Sequence, residues 1–342
     1  MKENLVWGGL CTDSLEEADV IVMGIPFDGA VSAGRGAAAA PDRLRELSQI
    51  LPPVTEEGMI LSSLKIWDDG NVPAHLNWEK YFGEVKMQAY NLIAKDKFCL
   101  FLGGDHSVSI PLEEAFAEFN ANQKIGIIHF DSHSDIEDEY DGHRWSHACT
   151  QRRALELPNI EPAGLTPVGI RSYTTSELEF LNSHPEIRVI GAREIYRQGL
   201  DHTYAAINER YRGYQSIYLS LDIDVLDPAF APGTGTPEGG GLSTRELMEL
   251  VKQIMNHLPV KAADIVEISP PLDCANITSW AALKVIFEIF GGVKSTQVGL
   301  TAVTQQEQSS QKVKHATAVD IKEYSQGVMV ICPEGYMEKR QS

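Results

Sequence analysis

Short apolar runs alternate along the chain with segments whose apolar residues recur at helical spacing. The apolar runs predict strands at 20–25, 97–102, 125–130, 216–221 and 262–268. Helical spacing predicts helices at 79–94, 108–120 and 277–289, and another that opens at Ser243 with Glu246 completing a capping box. Strands that are apolar throughout are covered on both faces. The alternation therefore predicts an α/β fold, a three-layer α/β/α arrangement around a mostly parallel central sheet.

The overall composition is that of a globular protein. The 342 residues are 43% hydrophobic and 23% charged, and no apolar run approaches the length of a membrane span. The first ten residues lack the pattern of a signal peptide. Five scattered cysteines, with no C-x-x-C pair, are typical of reduced thiols. We therefore expect a cytoplasmic protein.

The chain is strongly acidic, with 29 basic and 48 acidic residues and a formal net charge of −19. Such a chain repels nucleic acid and anionic membranes, because affinity for phosphate comes mainly from lysine and arginine. The acidic field favours cationic partners such as metal ions, amines and guanidines. Solubility alone would also account for this charge.

Chemistry-bearing side chains follow three of the predicted strands. They are His106 after the strand at 97–102; Asp131, His133 and Asp135 after the strand at 125–130; and Asp222 and Asp224 after the strand at 216–221. Residues two apart in extended chain point to the same side, so each group can converge on one point. Any one such pair, taken alone, is more often a cap, a turn or a surface pair. Three groups at the ends of buried strands indicate a binding site, because ligands of such folds lie there.

The charge of this cluster predicts two metal ions. Four carboxylates packed together cannot all stay ionised without cations, and two divalent ions neutralise them. Oxygen-rich ligation with two histidines and no cysteine suits Mn²⁺, while Ni²⁺, Co²⁺ and Zn²⁺ stay open. Two ions about 3.5–4 Å apart can lower the pKa of a bridging water toward about 7, which supplies hydroxide as a nucleophile. The cluster therefore predicts a hydrolase.

Several motifs resemble the ureohydrolase family, over roughly residues 20–293. The matching motifs are GIPFDG at 24–29, GGDHS at 103–107, FDSHSD at 130–135, SLDIDVLDPAFAPGTGTPEGGGLSTREL at 220–247 and VEISPPLD at 266–273. The resemblance implies one metal on His106, Asp131, Asp135 and Asp222, and a second on Asp131, His133, Asp222 and Asp224, so that Asp131 and Asp222 bridge. Ser132 stands where many members carry alanine, and we expect no chemical consequence. We expect the GGDHS glycines to let the backbone approach the metal closely.

The resemblance also implies two catalytic residues. His147 aligns with the family's active-site histidine, which passes a proton to the leaving amine. Glu267, at the end of the strand at 262–268, aligns with the carboxylate that holds the guanidinium in a two-bond fork. An ordinary loop histidine and a salt-bridged edge glutamate are the alternatives.

The resemblance is strongest to the agmatinases of Gram-positive bacteria and archaea. Tyr140-Asp141-Gly142 followed by Ser146-His147-Ala148 carries this likeness. The implied reaction is hydrolysis of agmatine to putrescine and urea, a C–N bond cleavage of polyamine biosynthesis, by a metal-bridging hydroxide.

The segment after the aspartate–histidine motif is expected to hold the far end of the substrate. Its candidate residues are Glu137, Asp138, Arg144 and Trp145. The acidic residues suit a distal ammonium, as in agmatine. An inward Arg144 would instead favour a distal carboxylate, as in 4-guanidinobutyrate. Guanidinobutyrase is therefore the alternative, with arginase less favoured.

Two other classes are weighed against a ureohydrolase. A zinc deacetylase of the same fold usually has one zinc on two aspartates and one histidine, and a non-catalytic binding protein would have lost ligands; the complete set argues against both. The resemblance implies a homotrimer or homohexamer. We expect one ureohydrolase domain at 1–293 and a C-terminal extension of unknown role at 294–342, with a linker at 304–314 and an edge strand at 327–332.

Overall fold

The computed structural model describes residues 5–296, which build one eight-stranded sheet flanked by helices. The strands are β1 (Val20–Gly24), β2 (Ile66–Asn71), β3 (Phe98–Leu102), β4 (Ile125–Phe130), β5 (Leu165–Ile170), β6 (Ile190–Gly191), β7 (Ser216–Asp222) and β8 (Val260–Val266). Their order is β2-β1-β3-β8-β7-β4-β5-β6, and every neighbouring pair is parallel. All of their carboxyl ends therefore meet at one edge.

Helices connect the strands. They are α1 (Val6–Gly9), α2 (Ala40–Ser48), α3 (Trp78–Ile93), α4 (Ser109–Phe119), α5 (Thr150–Ala154), α6 (Thr175–Ser183), α7 (Ala192–Gln198), α8 (Leu200–Arg210), α9 (Thr244–His257) and α10 (277–296). Short 3₁₀ turns cover Ala37–Ala39, His106–Val108, His147–Cys149, Pro162–Gly164, Ile223–Val225 and Pro270–Leu272. No helix among residues 5–296 is long and apolar enough to cross a membrane.

The core lies on both faces of the sheet, which confirms the three-layer prediction. Successive residues of β1 alternate between two hydrophobic clusters, with Val20 and Val22 in one and Ile21 and Met23 in the other. This alternation follows from the two-residue period of a strand. Strands covered on both faces are hydrophobic throughout, which is why the sequence shows them as continuous apolar runs.

The predicted elements are found close to their expected bounds. Ser243 caps α9, and its capping box with Glu246 is formed in both directions. Two elements differ more: β8 spans Val260–Val266 where 262–268 was expected, and α10 continues to residue 296 where the expected helix ended at 289. Helix α10 runs across the expected domain boundary at 293/294, and the division into domain and extension stays a prediction. The expected linker at 304–314 and edge strand at 327–332 lie outside the described residues.

Candidate active site

Four neighbouring strands bring the expected site residues to one edge of the sheet. Strands β3, β8, β7 and β4 are adjacent in that order. His106, Glu267, Asp222 and Asp131 lie at or just beyond their carboxyl ends. The sheet topology therefore gathers side chains that are far apart in sequence.

Three carboxylates converge on one nitrogen of a buried histidine. Nδ1 of His106 lies 3.1 Å from Asp131 Oδ2, 3.1 Å from Asp135 Oδ2 and 3.2 Å from Asp222 Oδ2. Neither His106 Nδ1 nor Asp131 Oδ2 has a conventional hydrogen-bond partner. Buried polar atoms of this kind are rare unless a water or an ion completes them. This group therefore has the donor set and the geometry to receive a cation.

A second histidine lies on the other side of Asp131. Nδ1 of His133 is 3.4 Å from Asp131 Oδ1 and 3.2 Å from Asp224 Oδ2. One ligand atom from each of these three residues falls within 4.8 Å of the others, as a metal site requires. The two oxygens of Asp131 thus face two different histidines, which is the arrangement expected of a bridging carboxylate.

The electrostatics of the cluster also fit cations. Burial, together with repulsion from neighbouring carboxylates, raises the pKa of Asp222 and of Asp224. Burial works against a charged His133, but its hydrogen bonds to Asp131 and Asp224 raise its pKa to about 12. Carboxylates that repel one another in a buried cluster favour a cation between them, and carboxylate oxygens with imidazole nitrogens are a donor set that binds Mn²⁺ and related ions.

Two site residues have left-handed backbone conformations. Asp135 has φ of +50° and Glu267 has φ of +61°. Non-glycine residues in this region cost about 1–3 kcal/mol each, and they cluster at functional sites. Both strained positions therefore lie at the candidate site.

His147 and Glu267 form a pair next to the cluster. Nδ1 of His147 lies 3.3 Å from Glu267 Oε1, while Nε2 lies 3.0 Å from Ser32 Oγ and accepts from the Ser32 backbone N–H at 3.2 Å. The same Glu267 oxygen accepts from the backbone N–H of His106 at 2.8 Å. Burial lowers the pKa of His147, but Glu267 outweighs this and raises it to about 9. The imidazole is thus placed to exchange a proton beside the carboxylate.

Asp105 holds the loop that carries Ser32. Its Oδ2 accepts from the Ala30 backbone N–H at 2.8 Å. Burial, and then repulsion from Glu267, raise the pKa of Asp105 to about 7. A Cβ on Gly104 would lie 1.6 Å from the carbonyl oxygen of Phe27. Gly104 therefore permits close approach to the Phe27 backbone, and the expected approach of the GGDHS glycines to a metal stays a prediction.

Two further residues contact the cluster and were not expected there. The His129 ring stacks on that of His106 at 5.0 Å between centroids, and its Nε2 lies 3.2 Å from Asp131 Oδ2. The Ser132 hydroxyl donates to Asp224 Oδ1 at 2.8 Å. Because His129 lies on β4 and precedes Asp131 by two residues, the two-residue period of extended chain could have identified it.

The chain resembles one protein family over most of its length. The model of the Arginase family matches residues 18–291. The chain belongs to the arginase family. It is similar to the agmatinase of Bacillus cereus, with 33% identity over 285 residues that cover 82% of this chain and 93% of the relative. It is also similar to the guanidinobutyrase of Pseudomonas aeruginosa, with 30% identity, 80% of this chain and 86% of the relative covered.

A solved structure gives the same result. The crystal structure of a putative agmatinase from Clostridium difficile has a TM-score of 0.74 and 31% identity to this arginase-family chain. The match covers 83% of this chain and 100% of that one. The resemblance to ureohydrolases, and the arginase-like fold it implied, are thereby confirmed.

The expected substrate segment of this arginase-family protein is engaged with its own chain. Glu137 accepts from the hydroxyls of Thr174 and Ser176 at 2.5 and 2.6 Å. The guanidinium of Arg144 is half-exposed and pairs with Glu156 at 2.7 Å and with Asp138 at 3.4 Å.

Asp138 also pairs with Arg153 at 2.6 Å. Trp145 packs on Phe82 with ring centroids 5.8 Å apart, at the edge of the apolar core. The four side chains are therefore held by protein partners, and their part in substrate binding stays a prediction.

Proposed function

We propose that this arginase-family protein is a dinuclear-metal hydrolase that cleaves the guanidino group of agmatine, releasing putrescine and urea. One observation carries the proposal: three carboxylates surround Nδ1 of His106, and the His147–Glu267 pair lies directly beside them. The first feature suits cations, and the second suits recognition of a guanidinium and transfer of a proton. A ureohydrolase needs both.

Six side chains would hold the metals. One ion would take His106, Asp131, Asp135 and Asp222, and the other Asp131, His133, Asp222 and Asp224. A pair of divalent ions supplies an activated water as nucleophile near neutral pH. The donor set favours manganese, with nickel, cobalt and zinc as alternatives.

The chain's own residues would bind and orient the substrate. Glu267 is nearly buried, and its Oε1 is fixed by the His106 backbone N–H at 2.8 Å. A carboxylate held in this way can accept two N–H bonds from a planar guanidinium, which positions the central carbon. His147 would deliver a proton to the departing amine, because its imidazole lies beside the carboxylate that holds the guanidinium.

Agmatine is favoured over 4-guanidinobutyrate by the surroundings of Arg144. Its guanidinium is already paired with two carboxylates on the surface, so it offers no free cation to a distal carboxylate of the substrate. The agmatinase and guanidinobutyrase relatives support both substrates as candidates. A guanidinobutyrase is therefore the second candidate function.

The sequence also supports proposals for the cellular location and the oligomeric state of the protein. Four described cysteines, Cys11, Cys99, Cys149 and Cys274, are free thiols, which fits a cytoplasmic protein. We propose a homotrimer or homohexamer on family resemblance. We also propose one catalytic domain at 1–293 followed by an extension.

Urea release from a panel of guanidines tests the proposal. The manganese-loaded protein is assayed for kcat/KM on agmatine, 4-guanidinobutyrate, arginine and free guanidine. We expect agmatine to give the highest value. A higher value for 4-guanidinobutyrate would establish the second candidate, and absence of turnover on every guanidine would contradict the proposed class.

A further inference from the structure

The metal-facing histidine is connected on its far side to a second buried carboxylate. Nε2 of His106 lies 2.9 Å from the Ser220 hydroxyl, and that hydroxyl donates to Asp264 Oδ1 at 2.9 Å. All three side chains are completely buried. Ser220 and Asp264 are register partners on β7 and β8, so the sheet itself sets their separation.

Asp264 accepts hydrogen bonds on both of its oxygens. Oδ1 accepts from Ser220 Oγ and from the Leu221 backbone N–H at 3.2 Å, while Oδ2 accepts from Ser109 Oγ at 2.6 Å and from Tyr218 Oη at 2.8 Å. An ionised carboxylate has the acceptor capacity for four donors, whereas a protonated one would have to donate at one of these positions. An anionic Asp264 is therefore the state that satisfies all four contacts with the three hydroxyls as donors.

With Asp264 anionic, the number of hydrogens available then determines which ring nitrogen of His106 is protonated. A serine hydroxyl has one hydrogen, and the Ser220 hydrogen goes to Asp264. Ser220 Oγ must therefore accept from His106, so that Nε2 carries a proton. A histidine that is protonated on Nε2 and binds a cation does so through Nδ1, the atom that faces Asp131, Asp135 and Asp222.

Folding alone gives little reason for this arrangement. Within residues 5–296, no lysine, arginine or histidine forms an ion pair with Asp264. A buried charge without a counter-ion is costly even when it is hydrogen-bonded. His133 differs, because its ring is partly exposed and its contacts are to Asp131, Asp224 and the adjacent Ser132. Of these two histidines, His106 is therefore the one connected through a serine to a second buried carboxylate.

We propose that Asp264 is a positioning residue of the metal centre, which acts through Ser220 to hold His106 with Nδ1 free to bind a cation. This inference rests on the proposed metal centre. It implies that Asp264 governs the affinity of only one of the two ions, the one bound by His106. Outer partners of metal-binding histidines typically contribute about 10- to 100-fold in metal affinity.

Manganese binding to the metal-stripped full chain tests the proposal, with stoichiometry and affinities measured by equilibrium dialysis. In Asp264→Asn and in Ser220→Ala we expect one of the two ions to bind about 10- to 100-fold more weakly, with the other within about threefold of wild type. The double variant should bind no more weakly than Ser220→Ala alone, because both changes break the same connection.

Asp68→Asn is the matched control. Asp68 lies on β2, away from the site, and pairs with Arg45 on α2, so the substitution makes the same chemical change elsewhere in the sheet. Both ions should bind to this variant as they do to wild type. If Asp264→Asn does not fold, Ser220→Ala decides the test. Wild-type affinity for both ions in Ser220→Ala, or equal weakening of both, would overturn the inference. A wild-type chain that binds no Mn²⁺ would instead contradict the proposed function.

Discussion

Oε1 of Glu267 lies 3.3 Å from Nδ1 of His147, and both side chains are almost buried. The same oxygen accepts from the backbone N–H of His106. One carboxylate atom therefore connects the proposed proton donor to the segment that carries a proposed metal ligand. A change at either residue should reveal which function each serves.

Replacing His147 by asparagine should lower kcat on agmatine by about 10²–10⁴-fold, the usual contribution of a general acid or base. Bound manganese should stay at the wild-type amount, because His147 lies outside the proposed ligand set. Steady-state kinetics and metal analysis measure the two quantities. His202→Asn, an exposed histidine on α8, is the control and should behave as wild type. Loss of metal in His147→Asn would contradict its assigned role.

Glu267→Gln should lower the pKa of His147 from about 9 toward the ordinary histidine value of 6.5, because the neutral amide no longer favours the imidazolium. Since this pKa is raised on folding, the pair stabilises the protein fully below pH 6.5 and loses that contribution as the pH rises through about 9. The rate of His147 modification by diethyl pyrocarbonate, which attacks neutral imidazole, measures the pKa in the metal-free chain. The modification signal that is lost in His147→Asn is the one that belongs to His147. An unchanged pH dependence of that signal in Glu267→Gln would contradict the proposed effect of Glu267 on the pKa of His147.

Ser132→Ala should lower the affinity for the ion proposed to bind His133 and Asp224 by about tenfold. This is the low end for an outer partner, because the Ser132 backbone N–H still donates to Asp224 at 3.0 Å. The structure thus attaches a testable consequence to a position where the sequence predicted none. Manganese titration measures the change, with Ser183→Ala on α6 as the control. A lower affinity only for the ion proposed to bind His106 would contradict this prediction.

Arg144→Ala should leave kcat/KM for agmatine within about twofold, because exposed ion pairs such as those with Glu156 and Asp138 contribute little. The kcat/KM of this variant for 4-guanidinobutyrate should also stay within about twofold of the wild-type value. Parallel assays on both substrates measure this. A selective loss of guanidinobutyrate turnover above tenfold would place Arg144 at the substrate and favour the second candidate function.

The sequence predicts five of the eight strands and misses β2, β5 and β6; β5 is missed although it is buried throughout, because Thr166, Pro167 and Gly169 interrupt its apolar run. Strands β3, β4 and β7 are buried throughout, so their apolar runs stand out. Strand β2 reads IWDDGN and is only partly buried, because it is the edge of the sheet and its Asp68 pairs with Arg45. Strand β6 has two residues, too few to show a period.

The candidate site divides in the same way. Asp131, His133 and Asp135 are polar residues at strict two-residue spacing after a strand, so local pattern identifies them. Asp264 and Ser220 sit inside strands among apolar residues, and their link to His106 exists only once β7 and β8 pair. Ser32 reaches His147 across 115 positions of sequence, a contact that no local pattern encodes.

Anomalous X-ray diffraction at the manganese edge, from crystals grown with Mn²⁺, tests the central claim most directly. We expect two peaks per chain, one beside Nδ1 of His106 and one beside Nδ1 of His133, with Asp131 and Asp222 contacting both. A single peak, or none, at this edge of the sheet would contradict it.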